Sequence, residues 1–134
     1  DLLVVPSIRE PLGNVCLEAG LCKVPVLAAN VDGLPEIIED KVSGELIDAT
    51  DQVLVDLEEG AVPLPEFVVN PDTQQLSLPK QINSALLAKQ ILGLSTEPNK
   101  LNYYAVNLHD KVTSYFNINR YSAELYKVYS EMLF

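Results

Sequence analysis

Two short apolar runs, at residues 2–5 and 25–29, and a third strand-like segment, Glu45-Leu46-Ile47, set the limits on what this chain folds into. Each is strand-sized, and a segment of helical character separates each from the next. The first, Leu2-Leu3-Val4-Val5, is closed by Pro6-Ser7. After Gly13, the positions Val15, Cys16, Leu17, Ala19, Leu21 and Cys22 make a helix apolar on nearly all sides, as a helix inside a layered domain is. The second run leads into a turn from Asn30 and a short helix around Glu36-Ile37-Ile38. Lys41-Val42-Ser43-Gly44 then turns the chain into the third run. Strand, helix, strand, helix, strand is the order of an α/β domain.

In such a domain ligands bind where strands end and helices begin. Two carboxylates stand there, Glu10 and Glu18, with Pro11, Leu12 and Gly13 after the first. Glu18 is the only charge between Glu10 and Lys23. A carboxylate on a largely apolar helix needs a pair, a hydrogen bond or a cleft. A helix that starts at Gly13-Asn14 offers free N–H groups and partial positive charge, which suits a phosphate. A carboxylate one turn further in can accept from two neighbouring hydroxyls of a ribose or sugar. From these ten residues alone, a structural pair at a helix start and a ligand site are equally good readings.

A longer pattern tips the balance. Pro6-Ser7, Glu10 and Glu18 at their spacing, Pro11-Leu12-Gly13, Glu18-Ala19-Gly20, Val24-Pro25-Val26, Gly33-Leu34-Pro35-Glu36-Ile37-Ile38 and Ser43-Gly44 follow one another in order. This run resembles the donor-binding half of the retaining, nucleotide-sugar-dependent glycosyltransferases of group 1, which have the GT-B fold. The resemblance implies an α/β fold, a partial Rossmann-like parallel sheet with flanking helices and a helical C-terminal tail. It implies transfer of a sugar from a nucleotide-diphospho-sugar to an acceptor, with retention at the anomeric carbon. Glu10 would lie against the transferred sugar as the catalytic residue, and Glu18 would hold the ribose hydroxyls. Leu12, Gly13, Asn14 and Val15 would offer backbone N–H groups to the sugar and diphosphate. Asp32 and Gly33 would form a loop on the sugar side, where many family members have Gly-Gly. Asp tolerates such a turn, and the commonplace expectation for Asp32 is a solvated turn residue.

No cofactor or metal is implied, the nucleotide sugar being the substrate. Two carboxylates also suit a glycoside hydrolase, but a phosphate-ready helix start serves no purpose there. Nucleotide-sugar epimerases lack the Glu10-to-Glu18 spacing. The remaining alternative is a non-catalytic nucleotide-sugar-binding subunit. The chain opens without Met in what the family makes a central strand. The expectation is therefore a C-terminal fragment, inactive alone, whose glycan, lipid or small-molecule acceptor binds through an N-terminal domain lying outside this sequence.

The chain has 134 residues and a net charge of −10, which argues against nucleic acid or an anionic membrane as a direct partner. No signal peptide is expected from these residues, and no apolar stretch among them is of transmembrane length. Cys16 and Cys22 read as buried, reduced packing residues, so a cytoplasmic setting is expected. One domain is expected over 1–134, a partial nucleotide-sugar-binding domain with an acidic insertion at 48–66 and C-terminal helices at 99–134. Within the insertion Gln52-Val53-Leu54-Val55 reads as an extra strand, a solvated loop or added hairpin being the expected form. Phe67-Val68-Val69 reads as the usual final strand. Residues 76–92 read as an amphipathic helix stopped by Gly93, and 99–116 as a second helix. Asn117 or Asn119 caps a third, whose stripe of Tyr121, Leu125, Val128 and Met132 would meet the other domain. Its aromatic residues read as core. His109, the single histidine, reads as a surface or interdomain residue away from the motif.

Overall fold

β1 (Leu3–Val5), β2 (Val26–Ala29) and β3 (Glu45–Ile47) form a parallel sheet in the order β1-β2-β3. This computed structural model describes residues 1–53, 60 and 63–133. Leu3 pairs with Val26 and Val5 with Ala28; Leu27 pairs with Glu45 and Ala29 with Ile47. β2 is buried at all four positions and shows no polar alternation. That is the signature of a parallel strand covered on both faces. β1, expected as a central strand, is an edge strand of the described sheet.

Helix α1 (Asn14–Leu21) connects β1 to β2, and the single turn α2 (Leu34–Ile37) connects β2 to β3. Leu34, Ile37 and Ile38 are fully buried, so the short helix is held by packing and not by length. α4 (Pro98–Tyr115) lays Tyr104, Ala105, Leu108 and Val112 into the same core. Spacings of three and four put these residues on one helix face. Gly20 of α1 lets this helix approach closely: a Cβ there would stand 2.7 Å from Val112.

The parallel α/β fold and helical tail match the expectation, and four local readings need correction. Phe67 to Val69 does not add to the parallel sheet. β5 (Val68–Asn70) pairs antiparallel with β6 (Gln75–Ser77), and β4 (Asp51–Gln52) pairs with β7 (Lys80–Gln81). Of the extra strand expected at 52–55, Gln52 is in β4 and Val53 is coil, while Leu54 and Val55 lie outside the described residues. The helix expected over 76–92 is α3 (Ser84–Ser95), with Gly93 inside it. Pro79 keeps the residue before it out of helical geometry, and Asn83 supplies the start by accepting from Leu86 N at 3.0 Å. Cys22 is exposed at the end of α1, whereas Cys16 is buried.

The tail aromatics divide. Tyr104 is core, but Tyr103, Tyr115, Tyr121, Tyr126 and Tyr129 are exposed. α5 (Ile118–Leu133), which Asn117 caps through Arg120 N at 3.0 Å, has no buried residue. Its expected stripe, Tyr121 to Met132, is open to solvent. Among the described residues no helix is long and apolar enough to cross a membrane.

Candidate functional site

Parallel strands end on the same side, so the loops after β1 and β2 leave the sheet together. Two hydrogen bonds join them to each other, and two more tie the second loop to β5. Gly33 N donates to Glu10 O at 3.2 Å, and Glu10 N donates to the Asp32 carboxylate at 3.0 Å. The other Asp32 carboxylate oxygen accepts from Val69 N at 2.6 Å, and Asp32 N returns a bond to Val69 O at 3.1 Å. Asp32 is thus not a solvated turn residue. It is half-buried, at φ 46°, and ties the Glu10 loop to β5.

Two glycines make this contact possible. A Cβ on Gly33 would overlap the Pro11 carbonyl oxygen, so the loops touch backbone to backbone. Gly13 sits at φ 96°, a left-handed conformation that side chains disfavour, and a Cβ there would lie 2.6 Å from Leu34 Cδ2. Gly13 is the residue just before α1, and no side chain caps that end. The first N–H groups of a helix have no intrahelical partner, so those of Asn14 and Val15 face outward unclaimed by the helix. Leu12, Asn14, Val15 and Glu18 are all exposed around this end.

Glu10 is folded over the helix start, its Oε1 accepting from Gly13 N at 3.1 Å. The carboxylate is held by its own loop and aligned with the helix dipole. It also reaches the thiol beneath: burial first, and the charge of Glu10 second, push Cys16 up to about 11. Cys16 is therefore a protonated packing residue and not a nucleophile.

The expected site residues fall into two groups. Glu10, Gly13, Asp32 and Gly33 are tied together by the two loops. Glu18 stands one turn into α1 on the Val15 side, at the margin of a shallow apolar depression that includes Leu3 and Val24. A separate open cleft of about 570 Å³ runs beside Asp32, between the two loops and the β5–β6 hairpin. Arg9, Glu36, Val69, Pro71 and Gln74 line it. Arg9, Glu36 and the hairpin were not singled out from sequence. The bonds between Val69 and Asp32 span 37 residues of sequence. Among the described residues no cluster of three His, Cys, Asp or Glu is placed to hold a metal ion.

Away from the cleft, His109 is half-buried against α1, not apart from it. Its Nδ1 lies 3.1 Å from Gly20 O. A carbonyl only accepts, so that nitrogen carries the proton. A second polar cluster anchors α4 to the sheet. The buried Glu45 accepts from Tyr104 OH at 3.0 Å and pairs with Lys100 Nζ at 2.6 Å.

The profile of the family "Glycosyl transferases group 1" matches residues 1–57. The D-inositol 3-phosphate glycosyltransferase of Salinispora tropica is 51% identical over 53 residues, which are 40% of this chain and 11% of that protein. The chain thus spans a small part of the curated relatives it matches. By fold, Anabaena Alr3699/HepE, crystallised with UDP-glucose, is similar with a TM-score of 0.66 at 23% identity, over 98% of this chain and 28% of that one. The C-terminal domain of a group 1 glycosyl transferase protein from Francisella tularensis is similar with a TM-score of 0.58 at 24% identity, over 88% of this chain and 44% of that one. By sequence over residues 1–57 and by fold over nearly its whole length, the chain resembles the C-terminal half of the group 1 glycosyl transferases of the GT-B fold.

Proposed function

We propose that this chain is the donor-binding part of a glycosyltransferase that moves a sugar from a nucleotide-diphospho-sugar to an acceptor, with retention at the anomeric carbon. The observation that carries the reading is the uncapped start of α1, with Glu10 locked over it and Glu18 exposed one turn later. The Asn14 and Val15 N–H groups, unclaimed by the helix, offer the seat for a diphosphate, while Gly13 N–H holds Glu10 beside it. As the glycosidic bond breaks, the leaving diphosphate gathers negative charge, and fixed N–H dipoles lower the energy of that state. Glu18 takes the ribose hydroxyls. Glu10 meets the transferred sugar, with Asp32 and Gly33 behind it. The acceptor is held by parts of the enzyme outside this chain. The name of the curated relative from Salinispora tropica suggests a phosphorylated polyol as the first acceptor to try.

The test is mutational, on the full-length polypeptide that carries this chain. Glu10→Ala removes transfer while donor binding persists. Glu18→Ala weakens donor binding by about tenfold or more, the worth of one hydrogen bond to a charged group. Normal transfer rates in both variants would refute the assignment.

A further inference from the structure

The cleft beside Asp32 has a wall that the strand-and-helix framework does not supply. Its loops come from the ends of β1 and β2, but Val69, Pro71 and Gln74 come from the β5–β6 hairpin. That hairpin belongs to neither the parallel sheet nor the helices. It is held at the cleft through Asp32, which bonds Val69 through both its carboxylate and its own N–H. The same carboxylate fixes the Glu10 backbone. One side chain therefore sets the distance between the Glu10 loop and the hairpin.

The groups that face this space are chemically mixed. The Arg9 guanidinium is donor-only and the Glu36 carboxylate acceptor-only. The Gln74 amide has both capacities, and its Nε2 donates to Pro71 O at 2.7 Å, which leaves its carbonyl oxygen to accept. Pro11, Pro35 and Pro71 add apolar faces between them. Donors and acceptors at fixed positions among apolar surfaces suit a polyhydroxylated ring, whose hydroxyls both donate and accept. An acyl chain would leave these groups without partners.

We infer that the β5–β6 hairpin is the wall that selects the sugar, with Asp32 as the residue that positions it. This rests on the donor-binding reading above. A site built to bond a particular hydroxyl rejects the epimer that lacks it there, because its own polar groups are then left unpaired. Asp32 is a positioning residue: both its carboxylate oxygens already hold backbone N–H groups. The diphosphate seat at Gly13 to Val15 makes no bond to the hairpin, so affinity for the nucleotide and choice of sugar are separable.

The experiment is calorimetric titration of the full-length polypeptide. UDP, GDP and ADP are tested first, then the glucose, galactose and mannose conjugates of whichever nucleotide binds. Asp32→Gly releases the hairpin without straining the backbone, since φ at this position is 46°. Gln74→Ala alters only the exposed hairpin tip. Gln74→Ala should bind the free diphosphate as the parent does, and both variants should lose about tenfold of the affinity spread among the three sugars, an effect of one or two hydrogen bonds. Asp32→Asn, which keeps one acceptor oxygen, should restore part of the spread. An unchanged spread in Asp32→Gly and Gln74→Ala, with normal diphosphate binding, overturns the role of the hairpin alone. A parent protein that binds none of the diphosphates overturns the donor-binding reading, and the inference with it.

Discussion

Gly33, Gly13 and Asp32 carry the geometry of the site, each for a different reason. At Gly33 the obstacle is the Pro11 backbone, which cannot rotate away as a side chain could. Gly33→Ala should therefore destabilise by about 1–3 kcal/mol, the range for overpacking, as read from urea unfolding. Asp32→Ala strips the bond partners from two backbone N–H groups and should cost about 1–3 kcal/mol in the same measurement. The two cysteines separate cleanly at this scale. Cys22 is exposed and Cys16 is buried with its thiol held protonated. One thiol should react with a chromogenic disulfide reagent in the folded protein, and the second only on unfolding; two fast thiols would contradict the packing of α1. The place of Glu10 just before the helix start was legible from the Pro-Leu-Gly that follows it, but its bond to Gly13 N was not. The role of Asp32 was not, because its partner Val69 is distant in sequence and joins it only through the fold.

At the scale of elements, the framework was legible and the additions were not. β2 announces itself as an unbroken apolar run between turn residues; α4 was legible as a helix, but of the positions that spacing picks out, Tyr103, Val106, Val112 and Tyr115, only Val112 is buried, and Tyr104, Ala105 and Leu108 complete the core face. The hairpin and the β4–β7 pair have two or three residues per strand. Leu76 in β6 and Leu78 just after it are exposed, so the segment lacks the hydrophobic alternation that marks a half-buried strand. The leucines of 76–92 suggested one long helix for the same reason: spacing alone does not reveal where Pro79 and Asn83 divide the segment. The anchor between α4 and β3 makes a pH prediction. Burial first, and the bond to Glu45 second, push Tyr104 up to about 12, and the bond to Glu45 raises Lys100 as well. Cys16 shifts the same way. The folded form thus keeps protons that the unfolded chain releases, so this stability is complete below pH about 9 and is lost as pH rises toward about 12. Unfolding midpoints in urea should fall across that window. Tyr104→Phe should cost about 1 kcal/mol at neutral pH and flatten the upper part of the fall. A midpoint constant from pH 8 to 12 would show that the Glu45 cluster does not hold the helix.

For the molecule as a whole, three parallel strands and their covering helices place two loops side by side, and everything proposed for the site follows from that juxtaposition. The core runs from β2 through α2 to α4 and stops short of α5, which keeps no residue buried. Ending the chain after Asn117 should therefore change the unfolding free energy of the remainder by less than about 1 kcal/mol, since little apolar area is uncovered. The central claim is that the loop and helix from Glu10 to Glu18 receive a nucleotide-diphospho-sugar. Its most direct measurement is the backbone amide spectrum of the ¹⁵N-labelled full-length polypeptide during titration with UDP-glucose and GDP-mannose. The account predicts saturable shifts centred on Gly13, Asn14 and Val15 and extending to Glu18 and Gly33 for at least one of the two. Shifts that leave residues 13–18 unmoved while others saturate would contradict it.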